Sequence, residues 1–353
     1  MQQSFSFSMF RYYFLMLFVT CAVLPLCAQE KEDDVDRMPQ IHGTLRGKYE
    51  FQTEEGRGRF EVRNARVSVS GKVLKELEYK AEADLCDEGK IKMLDAYARL
   101  KPVTGLSFTI GQMRVPFTID AHRAPHTQYF ANRSFIAKQV GNVRDVGCIL
   151  GYNFNIGFPI VLEAGLFNGS GLTEQKDYWT NSMNYAAKAQ FILPRGFNIT
   201  LSTQKIKPDN VAVSLYDIGT FYHGHGWHVE AEYLFKHYSE NAFRNVSAFN
   251  AFVNYDIPLR KCFFRKVSPL LRYDYAGDHS DGKRYLDGAV SEEGTLIITD
   301  YRRSRITGGV TFSLAQPFIS DIRINYEKYF YRDGAVPKTS ERDKIVVEFM
   351  TRF

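Results

Sequence analysis

The sequence predicts an all-β fold, a transmembrane antiparallel β-barrel of about sixteen strands. Three observations carry the prediction. Beyond residue 40 the dominant hydropathy period is two, in segments of about ten residues or more separated by turn residues. The second face of these segments is densely charged, unlike the exterior of a soluble sandwich, whose strands run to about five or six residues. The connections, finally, alternate between short and long, as in a barrel with tight turns at one end and loops at the other.

Composition agrees. The 353 residues are 44% hydrophobic and 24% charged, and a mean hydropathy of −0.29 excludes a bundle of apolar transmembrane helices. Aromatic residues reach 14%, with 28 Phe and 21 Tyr against 2 Trp, too many for a disordered chain. The formal charge of +5 is mild and does not point to nucleic acid.

Residues 1–28 read as a signal peptide. Arg11 is the only charge, 12–26 is almost wholly apolar, and Ala28 supplies a small residue at the cleavage point. An uncleaved N-terminal anchor is the alternative. Residues 29–40 form a short acidic lead-in, and 41–353 the barrel. Three cysteines (Cys86, Cys148 and Cys262) follow the signal; an odd number at wide spacing supports neither a disulfide framework nor a zinc site.

The first strand, 41–51, opposes Ile41, Leu45 and Tyr49 to His42, Arg46 and Glu50. Strand two is 59–73. Strand three, 77–86, alternates Tyr79, Ala81, Ala83 and Leu85 with Lys80, Glu82 and Asp84. Strand four, 91–102, sets Leu94, Ala96 and Ala98 against Asp95, Tyr97 and Arg99. The fifth spans 106–118; Pro116 lacks an N–H, so the ladder is expected to end and the chain to leave the wall after Val115. Strands 144–154, 159–171, 184–193, 196–207 and 210–224 follow, with a turn signal at Asn168, Gly169, Ser170 and Gly171. Strand eleven, 226–239, opposes Trp227, Val229, Ala231 and Tyr233 to His228, Glu230 and Glu232. The last five are 245–259, 267–278, 304–314, 320–331 and 343–353. Parity is mixed in the fifth and tenth strands, which suggests bulges there.

Connections after even-numbered strands are short, and those after odd-numbered strands include 119–143, 172–183, 279–303 and 332–343. Short periplasmic turns and longer external loops place both termini in the periplasm. Tyr49, Phe51, Tyr152, Phe154, Tyr273, Tyr275 and Phe330 lie near strand ends on the apolar parity, where interfacial girdles belong. A barrel this wide leaves an aqueous channel, so the architecture points to transport rather than chemistry.

Five ordered blocks resemble the phosphate-selective porin O and P family of bacterial outer-membrane proteins. They are RFEVRNARVSVSG from Arg59, LDAYARL from Leu94, GQMRVPFTID from Gly111, VRDVGCILGY from Val143 and GLFNGSG from Gly165. The likeness is clearest over residues 40–200. It implies a sixteen-stranded, usually trimeric porin, often anion-preferring, with a loop folded inward to constrict the pore.

The loop 119–143 is the natural constriction, and Gly147 and Gly151, on the lumen parity, are expected to make room for it. It carries His122, Arg123, His126, Arg133 and Lys138 against one acid, Asp120, and Arg114 stands just before it. Positive groups at a constriction raise the local anion concentration. The same side chains also suit outward contact with lipopolysaccharide phosphates or a neighbouring subunit. Along the strands, basic and acidic lumen positions are nearly balanced, and no arginine ladder stands out. The expected function is therefore a water-filled channel for small polar solutes, mildly favouring anions such as phosphate, in the outer membrane, with lipid and lipopolysaccharide around a homotrimer.

No cofactor is implied and no enzyme motif appears. His223, His225 and His228 with Glu230 suggest a metal site, but strand parity puts His223 and His225 on one face and His228 on the other. The cluster Arg302, Arg303 and Arg305 suits lipopolysaccharide phosphates or solute capture. A plugged barrel serving as an adhesin or structural protein, or less readily a barrel enzyme, remains the rival to a channel.

Overall fold

The computed structural model describes residues 35–353 except 88, 140–142, 173–174, 208–210, 261, 292, 315–318, 333–334 and 336. The expected signal peptide and most of the acidic lead-in lie outside the described residues. No helix among the described residues is long and apolar enough to cross a membrane.

Strands form wherever the period of two predicted them. They are β1 (Gln40–Gln52), β2 (Arg57–Lys72), β3 (Leu77–Asp87), β4 (Lys90–Leu100), β5 (Leu106–Arg114), β6 (Arg144–Asn155), β7 (Pro159–Phe167) and β8 (Asn184–Ile192). Then come β9 (Phe197–Ile206), β10 (Val213–Gly224), β11 (Trp227–Tyr238), β12 (Val246–Tyr255), β13 (Phe264–Ala276), β14 (Arg303–Leu314), β15 (Ile319–Tyr331) and β16 (Lys344–Arg352). Each pairs antiparallel with its neighbour, and β1 pairs with β16 from Thr44↔Arg352 to Gln52↔Lys344, which closes the barrel. Closure leaves no unpaired edge, the condition for a sheet in hydrocarbon. The two-residue segment Ile257–Pro258 extends the sheet beside β13, and a small three-stranded sheet sits in the loop before β14.

Burial is the reverse of a soluble domain. On β1 the buried side chains are Thr44, Arg46, Lys48, Glu50 and Gln52, while Ile41 and Leu45 are exposed. On β16, Ile345, Val347 and Phe349 are exposed, while Lys344 and Glu348 are buried. An apolar exterior over a charged interior is what lipid on one side and a lumen on the other require. Aromatic pairs ring both ends: Tyr152 with Phe154, Phe197 with Tyr222 and Trp227 with Tyr255 at the short-turn end, Tyr49 with Phe60 at the other.

Most inward charges are paired. Arg46 and Arg323 meet Glu348 at 2.5 and 2.6 Å, Arg305 meets Asp274 at 2.8 Å, Arg66 meets Asp84 at 2.9 Å, and Lys80 and Arg144 share Asp95 at 2.7 and 2.6 Å. Buried charges are tolerable only when matched in this way.

Some expectations are corrected. Register shifts fall in the β1–β2, β3–β4 and β13–β14 pairs, that in β4 burying Leu94, and none falls in β5. β10 carries no register shift. Its mixed parity arises because Val213 and Leu215 face inward, joining Leu234, Tyr238, Val246, Ala248 and Ala276 in an apolar patch on the inner wall. β5 ends at Arg114 rather than 118, although the Val115 N–H still bonds to the Val143 carbonyl at 3.0 Å. At Gly147 a Cβ would stand 2.0 Å from the Leu166 carbonyl oxygen and 2.8 Å from Phe167, so the neighbouring strand fills the space expected for a loop. Gly151 likewise faces Ser107. Finally, Arg303 and Arg305 are buried against Asp300 and Asp274, which removes them from an outward phosphate site and leaves Arg302 exposed.

Candidate functional site

The chain between β5 and β6 runs through the lumen, and the far wall holds it through both its backbone and its side chains. Arg46 of β1 donates to the Ala131 carbonyl at 2.8 Å, Arg272 of β13 to that of Asn132 at 3.0 Å, and Arg305 of β14 to that of Arg133 at 2.7 Å. The Ala131 N–H donates to Asn325 of β15, and the Asn132 amide to Glu327. Loop carbonyls need donors once buried, and wall arginines supply them. Apolar packing completes the seat: Phe130 lies edge-on to Phe252 of β12, and Phe135 and Ile136 are fully buried in the inner-wall patch.

The lumen faces of β2–β4 stay partly open. Side chains of Arg66, Lys80 and Glu82 are 14%, 28% and 13% exposed, against 0% for Arg305 and Glu327 under the loop. A cavity of about 760 Å³ opens toward the short-turn end of this side, among Lys72, Lys75, Lys80 and Tyr97.

Three of the six cations singled out by sequence converge at the start of the loop. Arg114 donates to the carbonyls of Ala121, His122 and Arg123 at 3.4, 2.9 and 3.2 Å. Arg133 donates to the carbonyls of Asp120 and Arg123, the latter at 2.7 Å. These two guanidiniums spend their hydrogen bonds on neutral carbonyls, although Asp120 lies close enough to Arg133 to offset part of its charge. Arg123 differs: it bonds Glu230 at 2.5 Å and Asp120 at 3.3 Å and stacks over Tyr129. Burial disfavours the Arg123 cation, but Glu230 and Asp120 outweigh it and hold the proton more firmly than usual. Burial alone would raise Asp120; Arg133 and Arg123 hold it at about 2 instead. Burial lowers Arg133 to about 10.

The other cations lie apart or are uncharged. Burial, reinforced by Lys188 and Arg114, keeps His122 well below its ordinary value. His126 accepts from Arg352 of β16 at 2.6 Å and is pushed down to about 4 by burial and then by that arginine. Lys138 is exposed at the long-loop end and pairs with Glu341 at 3.0 Å.

Several residues of this site escaped the sequence reading. Arg144 sits at the end of β6, where its side chain turns inward to Asp95 although parity had assigned that direction to Asp145. Ser202 and Gly219 touch the loop base, the first by a hydrogen bond to the Thr118 N–H and the second by packing under Ile119. Small size on the lumen parity was their only signal. His223 and His228 are direct cross-strand partners on one face, because the hairpin turn intervenes; strand parity alone had separated them. His228 bonds Glu230, and His225 lies in the turn beside Tyr222. Among the described residues no group of three His, Cys, Asp or Glu side chains is arranged to hold a metal ion.

A family model described as phosphate-selective porin O and P matches residues 40–241. No curated protein matches the chain. Among solved structures, the anion-selective porin from Comamonas acidovorans superposes with a TM-score of 0.61 at 10% identity, covering 89% of this chain and 98% of that one. OmpT of Vibrio cholerae in its trimer form gives 0.58 at 14% identity, over 90% and 98%. The outer membrane channel DcaP of Acinetobacter baumannii gives 0.57 at 12% identity, over 89% and 96%.

Proposed function

This chain belongs to the phosphate-selective porin O and P family, and on that footing we propose that its outer-membrane channel passes small polar solutes with a mild preference for anions such as phosphate. The observation that carries the anion reading is the pair Arg114 and Arg133. Both bond to carbonyls rather than carboxylates, whereas most wall cations are matched by acids. Positive charge at a constriction favours anion entry, even where a carboxylate such as Asp120 offsets part of it.

The same reading places the short turns and both termini in the periplasm after export by residues 1–28, with 119–143 as the constriction. It takes the assembly as a homotrimer, supported by the trimer form of a structural neighbour. Exposed Arg302 is then the group that meets lipopolysaccharide phosphates.

Reversal potentials across planar bilayers in a KCl gradient test the proposal. The expected sign is that of chloride preference, and Arg114→Gln or Arg133→Gln should each lower the chloride-to-potassium permeability ratio by about twofold. A potassium preference in the parent protein overturns the anion reading. The absence of any conductance overturns the channel.

A further inference from the structure

The chain leaves the wall through a strained residue. Thr118 has φ of +58°, in the left-handed region that a β-branched side chain rarely enters, and it is fully buried. No glycine supplies this turn, so the surrounding contacts must impose it.

Those contacts come from the four consecutive strands β8–β11. The Lys188 ammonium of β8 donates to the Thr118 carbonyl at 3.0 Å. The Thr118 N–H donates to the Ser202 hydroxyl of β9 at 3.1 Å, and that hydroxyl in turn bonds Asp217 of β10. The next N–H, of Ile119, donates to Glu232 of β11. Ile119 itself lies over Gly219, where a Cβ would stand 2.5 Å from its Cδ1 atom. On the loop side, the Ala121 N–H closes back on the Thr118 hydroxyl at 3.2 Å. A strained backbone with both polar groups pinned at long sequence separation is held in place rather than locally preferred.

We propose that Thr118 is the pivot on which the constriction loop turns into the lumen, and that Lys188, Ser202, Glu232 and Gly219 are the positioning residues that set the pore's calibre. The proposal rests on the channel reading above but concerns different residues, since none of the four is among the cations assigned to anion preference. Loss of the clamp frees the loop base while the barrel, whose ladder does not involve these side chains, stays closed.

Two measurements on the full chain test it. In a background whose other cysteines are serine, Ala121→Cys reports on the loop base, because Ala121 is buried behind the pivot. Lys188→Met, Ser202→Ala and Glu232→Gln are combined and compared with that parent by single-channel conductance and by reaction with a membrane-impermeant thiol reagent. The combined variant should conduct about twofold more, with a reversal potential nearer zero, and label at Ala121→Cys while the parent does not. Heat-modifiable mobility on gels confirms a folded barrel. If the combined variant does not fold, Gly219→Val displaces Ile119 from the other side and should give the same increases. A folded variant that matches the parent in conductance and labelling overturns the pivot. A parent that never conducts defeats the channel reading instead, and labelling still decides the pivot.

Discussion

At the scale of single residues, the two loop histidines add no charge to the lumen in mild acid. An exposed histidine titrates near 6.5 and would add positive charge to a constriction over the mildly acidic range. His126 instead sits at about 4, because burial and then Arg352 disfavour its cation, and His122 lies well below its ordinary value for the same first reason. Neither carries charge at pH 6. These two side chains should therefore add no step near pH 6.5 to the reversal potential in a KCl gradient. A midpoint near 6.5 would show an exposed, titrating histidine and contradict the burial. Stability has the opposite sign from a histidine that gains a partner. Between about 6.5 and about 4 the unfolded chain binds the proton that folded His126 refuses, so loop packing is at full strength above that window and weakens as pH falls through it.

Single elements show why some of the fold was legible and some was not. Strands such as β3 and β11 could be read directly, since lipid on one face and a charged lumen on the other force strict alternation. β10 obscured that pattern because Val213 and Leu215 face a buried loop rather than water, which makes an inner position apolar. The loop's anchors were legible only as lumen-facing residues. Lys188 and Glu232 lie 70 and 113 positions from the backbone groups they hold, and nothing local marks such pairs. Gly147 shows the same limit: parity placed it correctly, but only the register against β7 reveals what fills its space. Gly147→Ala should therefore destabilise the barrel by about 1–3 kcal/mol, as overpacking against backbone does. Gly151→Ala, which meets only the movable Ser107 hydroxyl, should cost clearly less. Urea unfolding of the detergent-folded barrel, followed by heat-modifiable mobility, separates the two. Equal destabilisation would mean that contact with Leu166 and Phe167 is not what requires a glycine.

For the whole molecule, the formal charge of +5 says little about the channel, because the pairing of charges matters more than their sum. Arg66 with Asp84, Arg144 with Asp95, Arg46 with Glu348 and Arg305 with Asp274 form local dipoles whose fields fall off quickly along the lumen. On the proposed anion reading, what remains at longer range is the charge of Arg114 and Arg133, which bond to carbonyls. On that reading a permeating ion passes the pair with water between. Such a field is exposed to screening: the Debye length shrinks from about 10 Å at 0.1 M salt to about 3 Å at 1 M. Chloride preference should accordingly be clearest near 0.1 M KCl and fall toward unity at 1 M, at a fixed gradient ratio. An anion site enclosed by fixed donors would behave otherwise, since an ion stripped of water contacts its partners inside any screening length. Selectivity that survives unchanged at 1 M would therefore move the discriminating step from a long-range field to direct binding, and would require donors closer to the ion path than Arg114 and Arg133.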